Sequence, residues 1–271
     1  MKFTIALASA LTGATAVLGA PGTAMRRQRA AERLAQRGSS LRMPPDDGVL
    51  YAEKVGNNGT AHVEYSSNWA GAVLIGTGYT SVTGTIVVPT PSTPSGGSSR
   101  TEYAASAWVG IDGDTCETAI LQTGVDFYVQ GSSVSFDAWY EWYPDYAYDF
   151  SGISISAGDT IKMTVTASSK TGGTAVIQNQ TTGKSVSHTF TSQTGSLCET
   201  NAEWIVEDFS SNGGLVPFAD FDTVTFTGAS ATTSSGTVGV SGATIIDIKQ
   251  SNSVLTSCST SGSSSVKCTY T

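Results

Sequence analysis

The sequence predicts an all-β fold, a sandwich of two large antiparallel sheets, and three observations carry that prediction. From Glu64 onward, runs in which apolar and polar residues alternate recur at residues 160–167, 174–179, 185–191, 223–227 and 243–248, the period of a half-buried strand. Gly, Ser, Asn and Asp separate these runs, which suits tight turns. No segment of this region sustains a helical period, and about two hundred residues without a break in composition suit one sandwich better than two small domains.

At the N-terminus, residues 1–19 pair an early Lys2 with an apolar, Ala-rich run that ends in small residues. That is the pattern of a secretory signal, and it is too short for a membrane anchor. No later run reaches the roughly 20 apolar residues that a spanning helix needs. The mature protein is therefore expected to be secreted and extracellular, without a membrane partner.

Residues 20–60 read as a propeptide. Seven basic residues (Arg26, Arg27, Arg29, Arg33, Arg37, Arg42 and Lys54) stand there against four acidic ones (Glu32, Asp46, Asp47 and Glu53), and residues 25–41 are helix-prone. The body, residues 61–271, has the opposite sign, with six Lys or Arg against eighteen Asp or Glu. A basic helical leader beside an acidic body is expected to be held by charge at neutral pH and loosened as carboxylates protonate. So few basic groups also leave the body only modestly cationic in acid, which favours acid tolerance.

The same inventory removes several kinds of chemistry. His62 and His188 are the only histidines, and His62 lies at the edge of the propeptide, so a His-activated Ser or Cys nucleophile would rest on His188. His188 sits in an alternating run and reads as an ordinary strand residue. Two distant histidines and four cysteines without C-x-x-C spacing make no zinc site. Without a phosphate-binding loop, a dinucleotide fingerprint or a basic patch on the body, neither a nucleotide cofactor nor a nucleic-acid partner is expected. With no metal or cofactor expected either, carboxylates must carry any reaction.

Cys116, Cys198, Cys258 and Cys268 allow three pairings, and an even count in a secreted chain favours disulfides. Cys258 and Cys268 flank a Ser/Gly-rich turn and suit the two arms of a hairpin, which leaves Cys116 with Cys198 to tether distant strands. Residues 89–101, rich in Pro, Ser and Gly, read as a surface loop in which Arg100 offers a nicking site. Asn58-Gly59-Thr60 and Asn179-Gln180-Thr181 are N-glycosylation sequons. No feature indicates a stable oligomer, so a monomer is expected.

Residues two apart in a strand share a face. One face then carries Asp137, Trp139, Glu141 and Tyr143; another Trp108, Gly110 and Asp112; a third Ile120, Gln122, Gly124 and Asp126. Glu203, Ile205 and Glu207 share a face opposite Trp204, Val206 and Asp208. Acids and rings thus stand where an outer sheet face usually carries Thr, Ser and Lys, a surface suited to an extended polymer.

The segments Ser67-Asn68-Trp69-Ala70-Gly71, Ala107-Trp108-Val109-Gly110-Ile111-Asp112-Gly113-Asp114, Ala119-Ile120-Leu121-Gln122-Thr123-Gly124, Asp137-Ala138-Trp139-Tyr140-Glu141-Trp142-Tyr143-Pro144 and Asn201-Ala202-Glu203-Trp204-Ile205-Val206-Glu207-Asp208-Phe209 resemble the fungal glutamic peptidases, or eqolisins. The likeness runs from about Glu64 to the C-terminus, and the cysteines fall where that family places disulfides. It implies a two-sheet sandwich like the legume lectins, a propeptide that acts as the chain's own inhibitor, and acid endopeptidase activity on polypeptide substrates. The family's catalytic pair maps onto Gln122 and Glu207. Trp69, Trp108, Asp112, Asp126, Asp137, Trp139 and Glu141 fall where it lines or supports the cleft.

Peptide hydrolysis needs a base for water, a donor for the oxyanion and an acid for the leaving amine. Glu207, with an ordinary carboxyl pKa of about 4.3, can take a proton from water and return it to nitrogen. The Gln122 amide can orient that water and donate to the oxyanion. The expected mechanism is direct attack by water, without an acyl-enzyme. Lectin-like sandwiches also house glycoside hydrolases, for which Asp137 and Glu141 are the candidate pair, and carbohydrate-binding modules, for which Trp139, Trp142 and Tyr143 would form the stacking platform.

Overall fold

The computed structural model describes residues 37–56 and 59–271, and every regular element among them is a β-strand. The expected signal, residues 1–19, and most of the helix-prone leader lie outside the described residues. A ten-stranded and an eight-stranded sheet stack face to face, and a three-stranded ribbon completes the fold. No described helix is long and apolar enough to cross a membrane.

Five strands of the larger sheet build the site: β1 (Trp69–Ile75), β2 (Tyr103–Ile111), β3 (Ile120–Gln130), β4 (Ser133–Tyr143) and β5 (Asn201–Glu207). Their spatial order is β1-β5-β2-β3-β4, antiparallel throughout. One parallel pair interrupts the sheet, between Gly59–Ser66 and Thr244–Gln250.

Alternation sends the two residue sets of each strand to opposite faces. Ala107, Val109, Leu121, Val125, Trp142, Trp204 and Val206 enter the core between the sheets, where they meet Val82, Ile86, Ile161, Met163, Ile177 and Phe226 of the smaller sheet. Each large apolar side chain buried there stabilises the fold by about 1.5–3 kcal/mol. Trp204 also ties the sheets together, its indole N–H donating to the Thr83 carbonyl at 2.8 Å. The opposite face carries a second cluster of Trp69, Trp108, Trp139, Ile120 and Ile205. This burial on both faces is unusual for an antiparallel sheet.

Both expected disulfides are present. Cys258 and Cys268 face each other in a hairpin, and Cys116–Cys198 closes a separation of 82 residues. Residues 95–100 are exposed, as expected of the 89–101 loop. Asn179 is fully buried, and its amide donates to Asp159 and the Ser154 carbonyl, so that sequon is closed to glycosylation in the fold.

The leader departs from expectation where it is described. Residues 37–41 are not helical: Arg37–Gly38 is a short strand paired with Ser210–Ser211, and residues 39–45 form no regular element. Helix propensity loses here because the segment's backbone groups find partners on the body, whereas a short isolated helix is only marginally stable in water.

Candidate active site

Directly paired residues of neighbouring strands share a face, so the register lays out three rows across β5, β2, β3 and β4. The first is Glu203, Gly110, Gln122 and Glu141; the second Ile205, Trp108, Gly124 and Trp139; the third Glu207, Ser106, Asp126 and Asp137. Trp69 on β1 extends the third row beside Glu207. In the middle row Gly124 is the gap that lets two rings close together. A β-carbon there would lie 2.5 Å from Trp108 Cβ and 2.7 Å from Trp139 Cζ2. Trp69 meets Trp108 edge-on, with ring centroids 5.0 Å apart.

Residues 37–43 lie across this face. The Arg37 guanidinium donates from Nε and Nη2 to Asp126 at 2.8 and 2.9 Å, from Nη1 to Glu141 at 3.1 Å and from Nη2 to Ser106 at 3.3 Å. It also stacks 3.8 Å above the Trp139 ring, a cation–π contact strengthened by exclusion of water. The next residues engage by backbone. The Ser39 N–H donates to both Glu141 oxygens, at 3.2 and 3.1 Å, and the Ser40 N–H donates to Glu207 Oε1 at 3.0 Å. The Ser40 carbonyl accepts from Trp69 Nε1. Asn68 clamps the following turn, donating to the Leu41 carbonyl and accepting from the Met43 N–H. Arg42 then pairs with Glu64 and Asp114, and Asp47 with Lys249.

Two consecutive amides thus bridge Glu141 and Glu207. Glu207 is also held by Trp108, whose Nε1 donates to Oε2 at 2.9 Å. Burial pushes the Glu207 pKa up to about 7, against the lowering pull of Arg37 and of its hydrogen-bond donors. The value of about 4.3 expected from sequence belongs to a carboxylate in water, and here residues 37–43 exclude water. Burial likewise pushes Glu141 to about 8 against the pull of Arg37, and Asp208 to about 8 against its bond from Gln250. For Arg37, burial opposes the charge, but Asp126 and Glu141 outweigh it and hold the guanidinium protonated.

Gln122 is fully buried, and neither atom of its amide has a hydrogen-bond partner among the described residues. Asp112 sits apart, at a backbone φ of 71°. Its carboxylate accepts the N–H groups of Cys198, Glu199, Thr200 and Asn201, so it anchors the loop that leads into β5. Asp137 is half-buried and lines a cavity of about 690 Å³ with Phe136 and Phe150. His188 stacks on Tyr140 at 4.0 Å, outside the rows described. Trp142 packs between the sheets, so the stacking platform considered for a carbohydrate-binding module does not exist. The one trio of potential metal ligands among the described residues is Asp112, Cys116 and Cys198, and its sulfurs are tied in a disulfide.

Sequence reasoning missed Arg37, Ser39 and Ser40 as occupants of the cleft, and Asn68 and Ser106 as its supports. The basic leader gave the sign of the charge, but no local pattern marks which arginine enters a pocket. Asn68 was within a recognised segment, where a buried amide beside two tryptophan-bearing strands was the available signal.

Comparison with known proteins gives concordant results. The model of the peptidase A4 family matches residues 67–270. Aspergillopepsin-2 of Aspergillus niger is 57% identical over 285 residues, covering 100% of both chains. Scytalidopepsin B of Scytalidium lignicola is 47% identical over 279 residues, again covering 100% of each. Among solved structures, scytalido-glutamic peptidase with a transition-state analogue inhibitor superposes with a TM-score of 0.69 at 49% identity, covering 76% of this chain and 98% of its own. Aspergilloglutamic peptidase from Aspergillus niger gives a TM-score of 0.61 at 65% identity, covering 62% of this chain and 99% of its own.

Proposed function

This chain belongs to the peptidase A4 family and is a glutamic endopeptidase, and on that premise we propose that it is secreted as an inactive monomeric precursor and hydrolyses polypeptides in acid with Glu207 and Gln122 as its reacting pair. The observation that carries the reading is the grip on residues 39 and 40. Glu141 and Glu207 accept consecutive backbone N–H groups of one non-helical segment, which is how a cleft recognises polypeptide whatever its side chains.

The same grip explains why the leader inhibits. A general base must accept a proton from water, but Glu207 accepts the Ser40 amide instead. The oxyanion donor must face a carbonyl, yet the Gln122 amide has no partner in the described segment. The leader therefore fills the cleft without presenting a bond to be cut. When it leaves, water enters, the desolvation of Glu207 falls, and its pKa moves back toward the acid range. Glu207 then takes a proton from the attacking water and returns it to the leaving nitrogen, while Gln122 donates to the oxyanion.

Wild type and Glu207→Gln, each processed and shown to be folded, should be compared on acid-denatured protein from about pH 2 to pH 7. Cleavage confined to acid and lost in the variant is expected. Equal cleavage by both would overturn the assignment of Glu207.

A further inference from the structure

Glu203 is the buried acid that the mechanism above leaves unused. It is wholly buried, and neither carboxyl oxygen has a hydrogen-bond partner among the described residues. Such a group destabilises a fold. Its place in the register gives it a different meaning, because Glu203, Gly110 and Gln122 stand in one row on one face.

The residue between the two polar side chains has no side chain. A β-carbon on Gly110 would lie 3.0 Å from Glu203 Oε1 and 2.8 Å from Trp108 Cζ3, so the Glu203 carboxyl reaches over Gly110, the residue that separates it from Gln122 in the row. The backbones of Glu203 and Gln122 are two strand spacings apart, roughly 9.6 Å, and no direct hydrogen bond joins their side chains. Four unpartnered polar atoms, two from each side chain, thus stand on either side of Gly110, where the Trp108 ring also packs. A buried water needs about two to four polar partners, and these four atoms supply them.

We propose that Glu203 is a positioning residue for Gln122, holding its amide across Gly110 through one bridging water. The charged groups that face Glu203 are Asp112 and Asp114, and with burial they favour its neutral form. A neutral carboxylic acid offers one donor and one acceptor, matching the acceptor and donor of an amide. Held in this way, Gln122 keeps its N–H aimed into the cleft. Trp108 couples the two halves of the site, since its ring edge packs against Gly110 and its Nε1 holds Glu207.

The inference rests on the role given to Gln122 above. Processed enzyme carrying Glu203→Leu or Glu203→Gln should be compared with wild type for kcat, KM and melting temperature. The leucine variant is expected to lose about 10- to 100-fold in kcat with KM within about 2-fold, because misplacing a donor damages the transition state more than binding. Its melting temperature should be equal or higher. The glutamine variant, which keeps a donor and an acceptor, should recover kcat to within about 5-fold of wild type. A leucine variant within about 2-fold of wild type in kcat would overturn the proposal, as would losses in both variants that track a lower melting temperature. Failure of the wild type itself to cleave peptides would instead remove the reading of Gln122.

Discussion

The Arg37 guanidinium meets the Asp126 carboxylate on two nitrogens, at 2.8 and 2.9 Å, with both residues almost wholly buried. This fork brings the leader into the cleft and sets residues 39 and 40 against Glu141 and Glu207. Removing one partner of a buried pair costs about 3–5 kcal/mol, because the other charge is left unpaired. A synthetic peptide of residues 30–47 should therefore inhibit the processed enzyme, and its Arg37→Ala form should bind at least roughly 10²-fold more weakly. Arg37→Lys should fall between them, keeping the charge but losing the planar fork. Equal inhibition by all three peptides would show that the grip lies elsewhere.

Gln122 carries no charge and makes no hydrogen bond among the described residues, so its removal costs the fold little. Gln122→Ala should retain the wild-type melting temperature within a few degrees while kcat falls by about 10²- to 10³-fold, the usual effect of losing one oxyanion donor. A variant that is folded and turns over within about tenfold of wild type would deny Gln122 that role.

Trp108 donates to Glu207 Oε2, and such a bond favours the ionised carboxylate. Trp108→Phe keeps most of the ring and its contact with Trp69 but removes the N–H. The acid limb of the pH–rate profile should then move to higher pH, since Glu207 loses a donor that lowers its pKa. A hydrogen bond to a charged group is worth about 1.5–3 kcal/mol, so kcat should fall roughly 10- to 100-fold. An unchanged acid limb would mean that Glu207 is not the group titrating there.

How much of this was legible depended on whether the relevant contact is periodic. That Gln122 shares a face with Asp126, Glu141 with Asp137 and Glu207 with Glu203 follows from alternation along single strands, so the sequence exposes which side chains of one strand go together, while the rows across strands need the register. The order β1-β5-β2-β3-β4 does not follow, because β5 is inserted between β1 and β2 from about 90 residues away. Trp142 could not be assigned by aromatic content alone: it lies one residue from Glu141, and that single step carries it from the cleft into the core. Arg37 was invisible for another reason. Its pocket is assembled from β2, β3 and β4, none of which neighbours it in sequence, and its extended conformation is imposed by those partners rather than by local propensity.

The buried carboxyls predict a stability profile that runs against the simple charge argument for release of the leader. Burial raises Glu207 to about 7, Glu141 to about 8 and Asp208 to about 8, and it raises Glu203 as well. A pKa raised in the folded state means that the folded protein holds the proton more tightly. The corresponding stability is fully present below the unfolded value of about 4 and is lost as pH rises through 7 to 8. Protonating Glu141 and Glu207 therefore tightens the closed precursor instead of opening it. The pair that joins leader to body with the opposite pH dependence is Lys249–Asp47. Lys249 lowers the Asp47 pKa, so that contribution persists until pH falls through the lowered value. The Glu207→Gln precursor, which should not process itself, is expected to melt at least about 5 °C lower at pH 8.5 than at pH 5. Melting that is flat from pH 5 to 8.5 would remove the buried acids from this account.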